Sequence, residues 1–127
     1  MKKIETTKAP KAIGPYSQAV QADSFLFISG QIAINPQTGI IQAKTFEEQA
    51  KQVLKNIEEI LRAANLQFRH VVKVEIFLQN MDDFQTLNRI YEEVFTHPIP
   101  PARQAVEVSR LPLNALIEIS CVALAKN

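Results

Sequence analysis

One arginine and one glutamate stand in strand-like, largely apolar stretches near the end of this 127-residue chain. Arg103 lies in the stretch Ala102–Val108, and Glu118 is the only charged residue between Leu116 and Ala125. A buried lone carboxylate costs free energy unless it is paired, solvated or used. A guanidinium can bind a carboxylate through two hydrogen bonds, and a half-buried glutamate can position or deprotonate a water molecule. The pair therefore predicts a site for a small anion beside a water.

We expect these two stretches to be the arms of an antiparallel hairpin with its turn centred on Leu111–Pro112. In a strand, successive side chains point to opposite faces of the sheet. A register that places Arg103 and Glu118 on the same face would leave the two charges within roughly 10 Å of each other. The sequence thus predicts that one chain holds both groups close together.

Length and composition predict a single domain, residues 1–127, and a cytoplasmic protein. With 46% hydrophobic residues, the chain can bury a core without a metal or a disulfide. Its 14 basic and 13 acidic residues disfavour nucleic acid as the principal ligand. The single cysteine, Cys121, is interpreted as a core residue. Because there is no second cysteine, the chain cannot form an internal disulfide, which suits a reducing compartment. No apolar run approaches the ~20 residues of a membrane span, so no membrane partner is expected.

Periodicity along the chain predicts two helices among strands, in the order β(ββ)αβαββ. Thr45 and Glu48 make a capping box at the start of the first helix, and Asp82 and Gln85 are assigned the same role in the second. The predicted elements are a strand near Ile4, a hairpin of Gln18–Ala22 and Phe25–Ile32, a helix from Thr45 to Asn65, a strand at Val71–Leu78, a helix from Asp82, and the two arms above. This order indicates an α+β fold with a mixed or mostly antiparallel sheet.

Each predicted helix has a single apolar stripe, so both helices should cover the same face of the sheet. The opposite face would then be buried against another chain, with Arg103 and Glu118 at the edge of the interface. The apolar strand positions assigned to this sheet are Leu26, Ile28, Val72, Val74, Ile76, Ile117 and Ile119.

Other polar or small residues are candidates for the wall of a pocket. Tyr16 follows a Gly-Pro pair that can aim its side chain, although packing on the edge of the domain explains it as well. Gly30, after Ser29, marks either a close backbone approach or a simple bulge. Asn88 is the polar exception in the inward stripe of the second helix, and a buried asparagine must find hydrogen-bond partners.

Several chemistries have no support in the sequence. The two histidines stand in separate loops, and there is no HExxH or CxxC pattern to hold a metal. No P-loop, dinucleotide fingerprint or GxSxG nucleophile elbow is present. We therefore expect an Arg-Glu site that uses neither a metal nor a cofactor.

Over nearly its whole length the sequence resembles the reactive-intermediate deaminase family, also called RidA or YjgF-like. The matching stretches are Ala12–Tyr16, Phe27–Ile32, Asn35–Gly39, Pro101–Arg103, Glu107–Pro112 and Ile117–Ile119. The resemblance implies a chorismate-mutase-like fold, a homotrimer whose sheets form a central barrel, and active sites in the clefts between subunits. It also implies hydrolysis of 2-imino acids, formed from 2-aminoacrylate, 2-aminocrotonate and related enamines, to 2-keto acids and ammonia.

The resemblance also implies roles for individual residues. Arg103 stands where the family binds the substrate carboxylate, and Glu118 stands where it positions water. Ala105 replaces a cysteine found in many members, and Ser120 replaces a common second glutamate, which leaves Glu118 as the only candidate base. The remaining pocket positions of the family correspond to Tyr16, Ser29, Gly30, Asn88 and Ala105.

Two other functions stay open at this stage. The first is a regulatory trimer that senses 2-keto acids through the same arginine and acts through a protein partner. The second is a ribonuclease or translation inhibitor, an activity also attributed to relatives. The near-neutral charge and the absence of paired histidines disfavour this last function.

Overall fold

In the computed structural model, which describes residues 1–125, two helices pack on one face of a six-stranded mixed sheet. The strands are β1 (Lys2–Ile4), β2 (Ala19–Ala22), β3 (Phe25–Gln31), β4 (Val71–Leu78), β5 (Ala102–Glu107) and β6 (Ile117–Leu124), and the helices are α1 (Phe46–Ala63) and α2 (Phe84–Val94). The strand order across the sheet is β1-β2-β3-β6-β4-β5. This confirms the predicted α+β class and the order of elements along the chain.

Local signals account for the hairpin of β2 and β3 and for helix α1. The hairpin closes at the pair Ala22↔Phe25 through a two-residue turn, in which Asp23 adopts the left-handed conformation (φ 55°) that aspartate tolerates. Helix α1 begins with the predicted capping box, in which the Thr45 side chain accepts from the Glu48 amide. The helix ends at Ala63, shortly before the predicted Asn65. Both elements were therefore correctly predicted from the sequence.

The start of α2 differs from the prediction, because Asp82 does not cap it. A short 3₁₀ turn at Met81–Asp83 precedes the helix, and Asn80 caps that turn by accepting from the Asp82 amide at 2.9 Å. The Met81 amide donates to Glu107 Oε1 at 2.8 Å, which ties the turn to the end of β5. An asparagine turn and a tertiary hydrogen bond thus replace the expected capping box.

The core lies between the sheet and the two helices. Six of the seven apolar positions that we assigned to the sheet are buried there, namely Leu26, Ile28, Val74, Ile76, Ile117 and Ile119. The seventh, Val72, is 40% exposed because the register of β4 against β6 shifts between Val71 and Lys73. This irregularity buries Val71 instead of Val72. Helices of the same chain therefore cover most of these positions, and the burial of the opposite face against another chain stays a prediction.

The sheet face away from the helices carries a different apolar set. Phe25 and Phe27 are 41% and 48% exposed, and they pair with Leu124 and Val122 of β6. Paired residues of antiparallel strands share a face, so these four side chains form one apolar patch, in which both phenylalanines are exposed and Val122 and Leu124 are half-buried. An exposed patch of this kind is typical of a surface that binds another protein chain.

Strands β5 and β6 do not form the hairpin that the sequence predicted. β4 lies between them, parallel to β5 and antiparallel to β6. The chain between Glu107 and Ile117 crosses the end of β4, where the Val108 amide donates to Leu78 O. This connection is longer than the two to five residues of a common hairpin loop, so it can span the ~10 Å across an intervening strand.

Two further observations bear on the class of protein. Cys121 is buried in the core, and burial raises the pKa of its thiol to about 12, so it is a packing residue as predicted. Neither of the two helices is long and apolar enough to cross a membrane.

Candidate active site

Arg103 and Glu118 lie on opposite faces of the sheet. Arg103 is paired with Val74 of β4, whose side chain points into the core beneath the helices. Glu118 is paired with Phe77, which follows Ile76 and therefore points to the other face. The expectation that one chain brings the two charges together within roughly 10 Å on a shared face is therefore wrong, because β4 separates their strands and sets the register of each independently.

The first half-site, which we call the arginine half, lies between β5 and α2. Asn88 Oδ1 accepts a hydrogen bond of 2.8 Å from Arg103 Nη1. The centre of the guanidinium lies 4.8 Å from the centroid of the Tyr91 ring and 5.4 Å from that of Phe84. Both distances are within the range of cation–π attraction. Positions 84, 88 and 91 lie on one face of α2, which explains how a single helix supplies all three contacts.

Arg103 has no carboxylate partner within salt-bridge distance among residues 1–125. Its side chain is half-buried, and an arginine remains protonated in a protein. Ala105, also partly buried, shares its face and lines an open pocket with Phe84. A guanidinium that is fixed in position, has no carboxylate partner and lies beside a small side chain is suited to binding a small anion.

The second half-site, the glutamate half, lies on β3 and β6. A Cβ atom on Gly30 would lie 2.6 Å from Glu118 Oε2, so the carboxylate rests directly on the backbone of this glycine. The pairing of β3 with β6 also shifts register between Ile28 and Gln31. Gly30 therefore lies at a strand irregularity, as the bulge interpretation predicted, and is approached closely by a side chain of the same chain. Its role in the wall of a pocket stays a prediction.

Partial burial raises the pKa of the Glu118 carboxyl above its usual value. A carboxylate with a raised pKa is a better proton acceptor, which suits a group that must activate water. Ser29 precedes Gly30 in the sequence, and its hydroxyl donates to Ser17 O at 2.6 Å, which ties β3 to the N-terminal segment. The glutamate half thus places a partly buried carboxyl group against Gly30, which has no side chain to displace it.

Tyr16 lies in the N-terminal segment on the surface. Its ring is 53% exposed and lies beside Gly14. Gln18 anchors this segment, since its side-chain amide donates to Pro10 O at 2.7 Å and accepts from the Thr6 amide at 2.7 Å. Tyr16 is therefore exposed on a segment that hydrogen bonds fix to the domain, and its role as a pocket residue stays a prediction.

A cluster of side chains that could hold a metal ion is not found in the described residues. They contain no cluster of three or more His, Cys, Asp and Glu side chains. The His70 ring accepts a hydrogen bond from the Gln67 amide, and the His97 ring accepts one from the Ile99 amide. Each histidine is therefore hydrogen-bonded within its own loop.

Tyr91 and Phe84 were not singled out from the sequence as site residues. They belong to the apolar stripe of α2, which periodicity assigns to the core. The available signal was that both aromatics flank Asn88 at helical spacing, three and four residues away. Periodicity shows that these side chains share a face, but it does not show that Arg103 lies against them.

The six-stranded mixed sheet with two helices on one face is the fold of the RidA or YjgF-like class: the crystal structure of the YjgF gene product from E. coli is 42% identical, with a TM-score of 0.93 over 99% of this chain and 100% of that chain. The family model described as Endoribonuclease L-PSP matches residues 6–125, and the chain belongs to this family.

The similarity to known relatives extends along nearly the whole chain. A RutC family protein of Pyrococcus horikoshii is 52% identical over 94% of both chains, and the 2-iminobutanoate/2-iminopropanoate deaminase of Mus musculus is 48% identical over 97% of this chain and 90% of its own. The crystal structure of E. coli TdcF with bound serine is 40% identical, with a TM-score of 0.92 over 98% of each chain.

Proposed function

We propose that this protein hydrolyses reactive 2-imino acids, and the enamines that give rise to them, to 2-keto acids and ammonia. The observation that carries the proposal is the held guanidinium of Arg103, which has no acidic partner in residues 1–125 and suits the carboxylate of such a substrate. The mouse relative that is named a 2-iminobutanoate/2-iminopropanoate deaminase supports the same reaction.

The proposed chemistry needs only orientation and one base. Arg103 binds the substrate carboxylate, and Glu118 takes a proton from water as its oxygen attacks the iminium carbon C2. Glu118 returns this proton to the nitrogen of the resulting tetrahedral carbinolamine. It then takes the proton of the new hydroxyl as the C=O bond forms and the C–N bond breaks, so that a 2-keto acid and ammonia leave. An iminium carbon is already electrophilic, so positioning and base assistance, each worth about 10²-fold or more, should suffice.

The site would be completed by two chains of a homotrimer. Within one chain, Arg103 and Glu118 are on opposite faces of the sheet, so a substrate in contact with both needs one residue from each of two subunits. The apolar patch of Phe25, Phe27, Val122 and Leu124 supports such an assembly. Sedimentation should report about 43 kDa, three times the 14.3 kDa chain.

The discriminating assay couples a threonine or serine dehydratase to the protein and traps free imine with semicarbazide. The wild-type protein should accelerate release of the keto acid, and Arg103→Ala should abolish the acceleration. Arg103→Lys should restore little, because an ammonium lacks the planar fork. Absence of acceleration by a folded wild-type trimer would refute the deaminase function. Saturable keto-acid binding without turnover would then favour the regulatory trimer.

Subunit mixing tests the shared site separately. Equal amounts of Arg103→Ala and Glu118→Gln chains, allowed to exchange, should recover roughly a quarter of the sites, because each site takes one half from each of two chains. The matched control mixes Arg103→Ala with Asn88→Ala. Both changes lie in the arginine half, so this pair should recover no activity beyond the sum of the two separate proteins. Equal recovery in both mixtures would refute the division into halves.

The family description favours an endoribonuclease as the second candidate. Cleavage of RNA should then be lost in the Arg103→Ala and Glu118→Gln proteins. A nuclease signal that survives both substitutions would identify a contaminant.

A further inference from the structure

The arginine half contains more contacts than binding a carboxylate requires. Building on the proposed function, we propose that the Tyr91 ring, assisted by Phe84, is a positioning element that holds the Arg103 guanidinium in its binding orientation before the substrate arrives. In this arrangement the hydrogen bond to Asn88 sets the rotation of the guanidinium plane, and the aromatic rings hold the guanidinium in position.

The first step of the argument is the burial of Tyr91. This residue is only 8% exposed, and its hydroxyl has no hydrogen-bond partner among the described residues. An unsatisfied buried hydroxyl is unfavourable, so hydrogen bonding does not explain a tyrosine here. Burial also raises the pKa of Tyr91 to about 12, which keeps the hydroxyl neutral. The ring is therefore the part of the side chain with a role.

The second step is the rigidity of that ring. Tyr91 stacks on Phe95 with their centroids 4.3 Å apart, and Phe95 meets Phe68 edge-on at 5.3 Å. Phe95 and Phe68 are partly buried at the edge of the core and form with Tyr91 a row of three aromatics, whose pairs have attractive geometry. Arg103 lies at the Tyr91 end of this row, 4.8 Å from the Tyr91 centroid.

The third step is the choice of a neutral hydrogen-bond partner. Asn88 Oδ1 accepts from Nη1 at 2.8 Å, which orients the guanidinium without neutralising its charge. The guanidinium forms no other hydrogen bond with residues 1–125, so its remaining N–H groups are available to a carboxylate. An arginine side chain loses considerable rotamer freedom when it binds, and a side chain that is already held loses less.

The test compares three single substitutions in the trimer. Tyr91→Leu removes the ring and should raise KM for the imine about 10-fold while kcat changes less than about threefold. Tyr91→Phe keeps the ring and should stay within about twofold of wild type in both constants. Phe95→Leu is the matched control, because it removes a ring of the same row that does not contact Arg103 and leaves the Tyr91 ring in place. Its KM should therefore rise much less than that of Tyr91→Leu. Equal KM increases in Tyr91→Leu and Phe95→Leu would reduce the role of Tyr91 to packing and overturn the proposal.

Chemical rescue gives a readout that a structural role would not move. In Arg103→Ala, added methylguanidinium should occupy the vacated place and restore part of the activity in a saturable way. The same addition to Arg103→Ala/Tyr91→Leu should restore at least 10-fold less, since the ring that attracts the cation is gone. Equal rescue of the two proteins would overturn the proposal.

Failure of the proposed function can be told apart from failure of this inference. If the wild-type trimer hydrolyses no imine, calorimetry with 2-oxobutanoate still measures binding of a carboxylate. Tyr91→Leu should then weaken that binding about 10-fold and Tyr91→Phe should not. Equal affinities in the three proteins would refute the positioning role on its own.

Discussion

Gly30→Ala tests whether the position of the Glu118 carboxylate controls catalysis. The new Cβ would lie 2.6 Å from Oε2, 2.9 Å from Cδ and 3.2 Å from Cγ of Glu118. Gly30 has no left-handed backbone conformation that would exclude alanine, so the clash falls on the glutamate side chain. Relief of the closest contact to an ordinary 3.4 Å moves the oxygen by about 0.8 Å.

A displacement of this size should affect the reaction far more than the fold. A misplacement of about 1 Å in a catalytic group can cost about 10²-fold in rate, so kcat for imine hydrolysis should fall about 10²-fold. The moving atoms are the end of a partly exposed side chain, so the melting temperature should change little. The coupled dehydratase assay measures the first effect, and thermal denaturation of the protein measures the second.

A double-mutant cycle shows whether the loss acts through Glu118. Glu118→Gln alone should remove the base, and adding Gly30→Ala to it should cost less than about threefold more, because both changes affect the same group. A Gly30→Ala protein with wild-type kcat would refute the reasoning. So would a further 10²-fold loss when Gly30→Ala is added to Glu118→Gln.

Three further outcomes follow from burial and hydrogen bonding. The acid limb of kcat should lie above pH 4.5, the ordinary value for glutamate, because burial raises the pKa of Glu118, and Glu118→Gln should remove that limb from any residual activity. The same raised pKa means that the folded state holds this proton more strongly than the unfolded state. Its stabilising contribution is then present below pH 4.5 and is lost as pH rises through the folded pKa, so Glu118→Gln should raise the melting temperature at pH 7 more than at pH 4. Asn56→Leu should destabilise the chain by about 2–3 kcal/mol in urea unfolding, because the buried amide that donates to Ile32 O and Ile34 O is lost; a cost under about 0.5 kcal/mol would contradict this.

Features set by neighbouring residues were predictable from the sequence. The capping box of Thr45 and Glu48 and the Asp23–Ser24 turn depend on chemistry within a few positions, and both are present. The start of α2 was missed because an asparagine turn, supported by a hydrogen bond from Met81 to Glu107, competes with the expected cap. That hydrogen bond joins positions 26 residues apart, beyond the reach of a local pattern.

The side-chain alternation of β5 and β6 could also be read from the sequence, and with it the burial of Ile117 and Ile119 and the isolation of Glu118 among apolar neighbours. Alternation defines the two faces of each strand only relative to that strand. Which face meets the helices, and which strand lies beside which, depend on contacts between distant segments. The tertiary structure decided both when β4 took the place between β5 and β6, and it thereby put Arg103 against α2 and Glu118 on the opposite face of the sheet.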